Sequence, residues 1–123
     1  MTEIYGEFGI EIYDTNLKLR VERIMRQIAE INIMKTKRNT IIFDYVTPIV
    51  REPYIEIVSD ILCNKLEPFT EILFDFYSIY KEKCYMGICF VVNSDKNGVV
   101  IKINERLLKL ATALGVEIQF DGL

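Results

Sequence analysis

Carboxylates are the residues of this chain whose types and spacing point most directly to chemistry. Glu52, Glu56 and Asp60 recur every four residues, and Glu67, Glu71 and Asp75 repeat the pattern a few residues on. On two successive helices each trio forms an acidic row along one face, opposite an apolar stripe. Most of these pairs have no lysine or arginine three or four positions away, and each like-charge pair destabilises its helix by about 0.2–0.5 kcal/mol. A solvated face accounts for such rows, and so does a surface that receives a basic partner. These six are the candidate partner-binding residues. A second set, Glu7, Glu11, Asp44 and Glu117, falls on predicted strands. A ligand-binding or enzymatic site built from that set needs a concave pocket in which at least two carboxylates converge.

Other familiar chemistries find little support. The chain has no histidine, which removes the usual general base near neutral pH, the histidine-dependent nucleophile arrangements and every histidine-containing metal site. None of its serines (Ser59, Ser78, Ser94) lies in a Gly-x-Ser-x-Gly turn. The glycines form neither a phosphate loop nor a dinucleotide fingerprint, and the acidic residues do not follow the spacing of a calcium-binding loop. No catalytic, cofactor-binding or metal-ligating residue is assigned, and no cofactor is expected.

The 123 residues, half of them apolar, suffice for one substantial core. No linker, low-complexity tract or block of like charge divides them, so one domain spanning 1–123 is expected. No apolar run is long enough to cross a bilayer, and the first residues are not those of a secretory signal. Three scattered cysteines, Cys63, Cys84 and Cys89, do not suggest a disulfide framework and read as small buried apolar residues in a reducing, cytoplasmic setting. A net charge of −3 argues against nucleic acid, which needs clustered cations. Arg20, Arg23 and Arg26 on a helix and Lys35, Lys37 and Arg38 in a turn are ordinary exposed charges.

The elements that must position these groups follow from periodicity. Residues 4–13 alternate Ile4, Gly6, Phe8, Ile10 and Ile12 against Tyr5, Glu7, Gly9, Glu11 and Tyr13, the period-two pattern of a half-buried strand. Asp14, Thr15 and Asn16 offer helix caps, and Leu17, Val21, Ile24 and Ile28 recur at helical spacing. Segments around Ile31–Met34 and Thr40–Val46 flank polar residues 35–39 and predict a hairpin. Pro53 and Pro68 suit the first positions of two helices. Their stripes are Tyr54, Ile57, Val58, Ile61 and Leu62, then Phe69, Ile72, Leu73, Phe76, Tyr77 and Tyr80, with a break over residues 63–67. Met86–Val92 reads as a strand apolar on both faces, and residues 95–98 as a turn leading to a returning strand, Val99–Ile103. Asn104 caps a helix carrying Leu107, Leu108, Ala111 and Leu114, and Gly115 ends it. A last alternating strand runs from Val116 to Phe120. The fold class is α+β: an antiparallel or mixed sheet of five to six strands, in the order β-α-β-β-α-α-β-β-α-β, with helices mainly on one face.

The second half resembles the domain of unknown function 4279 family, small bacterial proteins without an assigned activity. The likeness covers residues 52–121. It rests on the helical stretch ending in Phe76, Tyr77 and Tyr80, the strand Tyr85–Val92, the turn before Val99–Ile103, and the terminal unit INERLLKLATALGVEIQFD with Gly115 and Asp121. The resemblance implies the fold and a bacterial origin and supplies no site residues. The functional expectation is a non-catalytic protein-interaction protein, of which a bacterial immunity protein bound to a basic toxin domain is one form. A homodimer through an exposed sheet face bearing Tyr5 and Tyr13 is compatible with the pattern.

Overall fold

The computed structural model describes residues 2–94 and 98–122. Its first strand, β1 (Glu3–Ile12), buries Ile4, Gly6, Phe8, Ile10 and Ile12 and leaves Glu3, Tyr5, Glu7, Gly9 and Glu11 half-buried on the opposite face. A short 3-10 turn (Thr15–Leu17) follows, capped by Asp14, whose Oδ1 accepts from the Asn16 amide at 3.0 Å. It leads into α1 (Lys18–Ile28), which buries Val21, Met25 and Ile28. The expected hairpin is present as β2 (Asn32–Lys35) and β3 (Ile41–Val46). Asn39, at φ 65°, takes the left-handed conformation in its turn, where asparagine is among the residues best tolerated.

The next two helices are α2 (Ile55–Leu66) and α3 (Thr70–Tyr80), joined by a 3-10 turn over Glu67–Phe69 that contains Pro68. Two expectations shift here. Pro53 precedes the N-cap residue Tyr54 instead of opening the helix, and residues 63–66, expected as a break, continue α2. The buried face of α2 is Ile55, Val58, Ser59, Leu62, Cys63 and Leu66, while Tyr54 and Ile57, and Ile72 on α3, are exposed. Gly6 explains the rotation. Its missing side chain lets α2 approach β1 until Leu62 Cδ1 and Val58 Cγ1 stand where a Cβ would lie 2.7 and 2.9 Å away, so the Val58/Leu62 face is the one turned inward.

β4 (Cys84–Asn93) pairs antiparallel with the full length of β1, α4 (Glu105–Leu114) crosses over, and β5 (Glu117–Asp121) returns parallel to β4. The sheet order is β2-β3-β1-β4-β5, a mixed sheet of five strands. α2 packs over β1, α1 over β3 and α3 over β4, all on one face. Asn104 Oδ1 accepts from the Leu107 amide at 2.9 Å, and Gly115 ends α4 at φ 72° with its amide on the Ala111 carbonyl. Leu110 is buried where Leu108, expected in the core, is exposed. Residues 99–103 make one parallel bridge, Val100 to Tyr54, and no strand. The reason is topological: β1 and β5 occupy both edges of β4, so no ladder is left for a returning segment. Most of the expected turn at 95–98 lies outside the described residues. Among the described residues no helix is long and apolar enough to cross a membrane.

Because Gly6 is the contact on which α2 seats, Gly6→Ala is expected to destabilise the protein by about 1–3 kcal/mol through overpacking. A lowered urea midpoint at unchanged slope is the measurement that checks it.

Candidate functional site

The face of the sheet opposite the helices carries the functional geometry. Parity places Glu7, Gly9 and Glu11 of β1 there, beside Ile42 and Asp44 of β3 and Tyr85, Gly87 and Cys89 of β4, with Met34 and Gln119 from the two edge strands. Gly9 and Gly87 are direct cross-strand partners. Two adjacent positions without side chains open a hollow of about 340 Å³ in the middle of the sheet, lined by all the residues just named. Its two sides lean over that glycine floor. A Cβ on Gly9 would lie 3.3 Å from Asp44 Oδ1, and one on Gly87 would lie 2.9 Å from the Tyr85 hydroxyl. Gln119 Nε2 donates to that hydroxyl at 3.2 Å. Glu11 is held at the other end by the Thr40 hydroxyl, which donates to Oε2 at 2.5 Å.

Three of the four strand carboxylates expected from the sequence therefore converge. Glu117, partner of Gly87 on β5, stays exposed and is not part of the lining. Asp44 is the most deeply placed, only 8% exposed. Glu7 is its diagonal neighbour across the β1–β3 ladder, on the same face of the sheet. Burial, then the Glu7 charge, push the Asp44 carboxyl up to about 7. Burial also raises Glu7, and the Asp121 charge adds to the rise. Two neighbouring carboxyls in a partly dry site ionise together only at a penalty, so the pair takes up a proton as pH falls through about 7. Among the described residues no lysine or arginine lines the hollow.

Cys89 corrects the expectation that all three cysteines are buried. It is half-buried on the hollow wall, while Cys63 and Cys84 lie in the core. All three are free. Burial and the charges of Glu7, Asp121 and Asp44 raise the Cys89 thiol, which disfavours the thiolate a nucleophile needs.

The helical acidic rows fare differently. Arg106 of α4, distant in sequence, bonds Glu67 through two nitrogens at 2.6 and 2.9 Å, Asn64 Oδ1 at 2.7 Å, and pairs with Asp60 at 3.6 Å. Its hydrogen bond, ahead of its charge, holds Glu67 below the usual carboxylate range. The centre of the two rows is thus neutralised by a cation that helix spacing could not reveal. Glu52, Glu71 and Asp75 are exposed and Glu56 is half-buried. Of the helix-one arginines, Arg26 pairs with Glu22, and Arg20 hydrogen-bonds the Tyr80 hydroxyl with its guanidinium 5.2 Å from that ring's centre. Missed by sequence reasoning were the glycine pair, Tyr85, Gln119 and Asp121. The alternation did place Gly9 among acidic residues, but only strand register sets it beside Gly87. No known family model, curated protein or solved structure matches the chain.

The raised Asp44 value fixes the sign of a stability effect. The folded state binds the proton more tightly than the unfolded chain, so this contribution is fully present below the unfolded value of 3.8 and is lost as pH rises through about 7. Asp44→Asn is therefore expected to be more stable than the parent at pH 8, by about 1–2 kcal/mol after discounting for the water that reaches the hollow, with the gain vanishing towards pH 4. Denaturant titrations of both proteins at the two pH values check this.

Proposed function

We propose that this protein is a non-catalytic binding protein whose main site is the acidic hollow on the open face of the sheet. The observation that carries the reading is a hollow in which a nearly buried carboxyl, Asp44, and a second carboxyl, Glu7, stand above a floor made by two paired glycines. Such a feature works against stability, since burying an acid and placing glycine in central strands are both unfavourable. Sites that sacrifice stability in this way are where binding is expected. The volume lies at the lower end of small-molecule sites, and the walls combine a few polar groups with apolar surface from Met34, Ile42 and Tyr85.

A thermal-shift screen of small cations, neutral compounds and anions against the parent and Gly9→Val tests the reading. Valine suits a strand and fills the floor, and because its Cβ would stand 3.3 Å from Asp44 Oδ1, circular dichroism first confirms that the variant is folded. Ligands present at a hundredfold excess over Kd should stabilise the parent by about 2.7 kcal/mol and leave Gly9→Val unmoved. Equal stabilisation of both proteins places the ligand elsewhere and removes the hollow from consideration.

A second reading, recognition of a protein by the helical face, has its own support. Ile72, Phe74 and Ile79 on α3 are exposed, Ile79 by 72%, beside Glu71 and Asp75. Large apolar side chains next to unburied charge are the composition of a partner surface. A basic protein such as a toxin domain suits it, as an immunity protein would require. Asp60 and Glu67 are engaged by Arg106, so steering falls to Glu52, Glu56, Glu71 and Asp75. Neutralising those four is expected to slow association with a basic partner at low salt while leaving dissociation little changed. An unchanged on-rate in stopped-flow mixing returns them to a solubility role.

A further inference from the structure

The geometry points to the chemical class that the hollow takes. We propose that it binds an organic ammonium ion, and that the ion enters in exchange for the proton shared by Glu7 and Asp44. This rests on the reading of the hollow as the binding site and adds the ligand's charge and the proton's fate.

Asp44 is nine-tenths buried and its diagonal neighbour Glu7 is another acid, so it lies in the hollow without a counter-charge. A proton is the smallest cation that relieves the pair, and with the Asp44 carboxyl pushed up to about 7 it occupies the pair below neutrality. An ammonium group brings up to three N–H donors and a full positive charge to the same place, allowing both carboxyls to ionise together. Among the described residues no three acidic or thiol groups are arranged to hold a metal, and hard cations need more oxygen ligands than this pair supplies. The remaining wall suits a carbon skeleton: Met34, Ile42 and the Tyr85 ring flank the glycine floor, and an aromatic face is itself favourable for a cation.

The other groups that bear on the pair all favour a cation or are neutral. Tyr5 and Glu11 share its strand, Cys89 faces it from β4, Asp121 acts on it from β5, and β2 presents Asn32 and Met34 to that face. The exchange balances simply. The ammonium ion enters with its own protons, one carboxyl proton leaves to buffer, and the charge of the site changes by zero. Below pH 7 the ion competes with the proton, so its affinity should rise about tenfold per pH unit up to roughly pH 7 and then level off.

The test uses 2-phenylethylammonium and its neutral counterpart 2-phenylethanol, titrated calorimetrically into the full chain in phosphate and in HEPES. At pH 6.5 the difference between buffers should show about three-quarters of a proton released per ammonium bound, the share of the pair that is protonated there, with 2-phenylethanol binding at least tenfold more weakly. Asp44→Asn, near-isosteric and expected to fold, should abolish both the proton release and the pH dependence. Ammonium binding without proton release overturns the exchange. Equal or tighter binding of the alcohol overturns the assignment of charge while leaving the hollow a binding site. If neither compound binds, the ammonium class is rejected, and the thermal-shift comparison with Gly9→Val decides separately whether the hollow binds anything.

Discussion

The structure depends on the strict alternation of β1. This strand lies at the centre of the sheet and is hydrogen-bonded on both sides, to β3 over Glu7–Ile12 and to β4 along its whole length. Side chains in a strand alternate between faces, and direct partners share a face, so the parity of one central strand fixes that of its neighbours. Ile4, Phe8, Ile10 and Ile12 bring Phe43, Met86, Ile88 and Phe90 to the helix side. The same rule brings Glu7, Gly9 and Glu11 together with Asp44, Tyr85, Gly87 and Cys89 on the other. A slip of one residue would bury three acidic positions of β1 and expose its core at once.

The two layers solve the problem of charge differently. Above the sheet, the acidic rows of α2 and α3 lie on the outer side, and one guanidinium from α4 ties α2 to the turn that follows it through Asp60, Asn64 and Glu67. An exposed network of this kind contributes modestly to stability, though its bidentate geometry fixes how the helix ends meet. Below the sheet, no arginine among the described residues lines the hollow around Asp44. Burial and the neighbouring Glu7 charge push its carboxyl up to about 7, so it takes up a proton as pH falls through neutrality. A proton can be displaced, whereas an arginine held in place by neighbouring side chains cannot. That difference makes the open face the chemically responsive one.

Glycine links packing and site. On β1, Gly6 and Gly9 face opposite sides of the sheet and leave space in both. The space at Gly6 is filled by Leu62 and Val58 of α2, which turns it into core contact. The space at Gly9 adjoins a second glycine on β4 and is not filled. Tyr85 lies part-way across Gly87, anchored by Gln119, and so limits how much bare backbone faces solvent.

The sequence by itself determined most local elements whose signal is carried by neighbours in the chain, the start and the length of α2 excepted. The alternation of β1, the hairpin around residues 36–40, the Asn104 cap and the Gly115 stop are all legible because cap chemistry and side-chain periodicity act over a few residues. The α+β class and the one-sided helical layer followed from those patterns. Helix rotation was not legible: which stripe of α2 is buried depends on its approach to Gly6, and Tyr54, Ile57 and Ile72 are exposed although their spacing matches a core stripe. Nor was the fate of residues 99–103, whose β-rich composition meets a β4 already paired on both sides. Both acidic patterns were visible as sequence, yet their meaning was decided in three dimensions. Arg106 reaches Asp60 and Glu67 only because α4 folds back beside α2 and α3. Glu7 meets Asp44, and Gly9 meets Gly87, only through strand register, since pairing between strands 30 or more residues apart leaves no periodic trace in either strand.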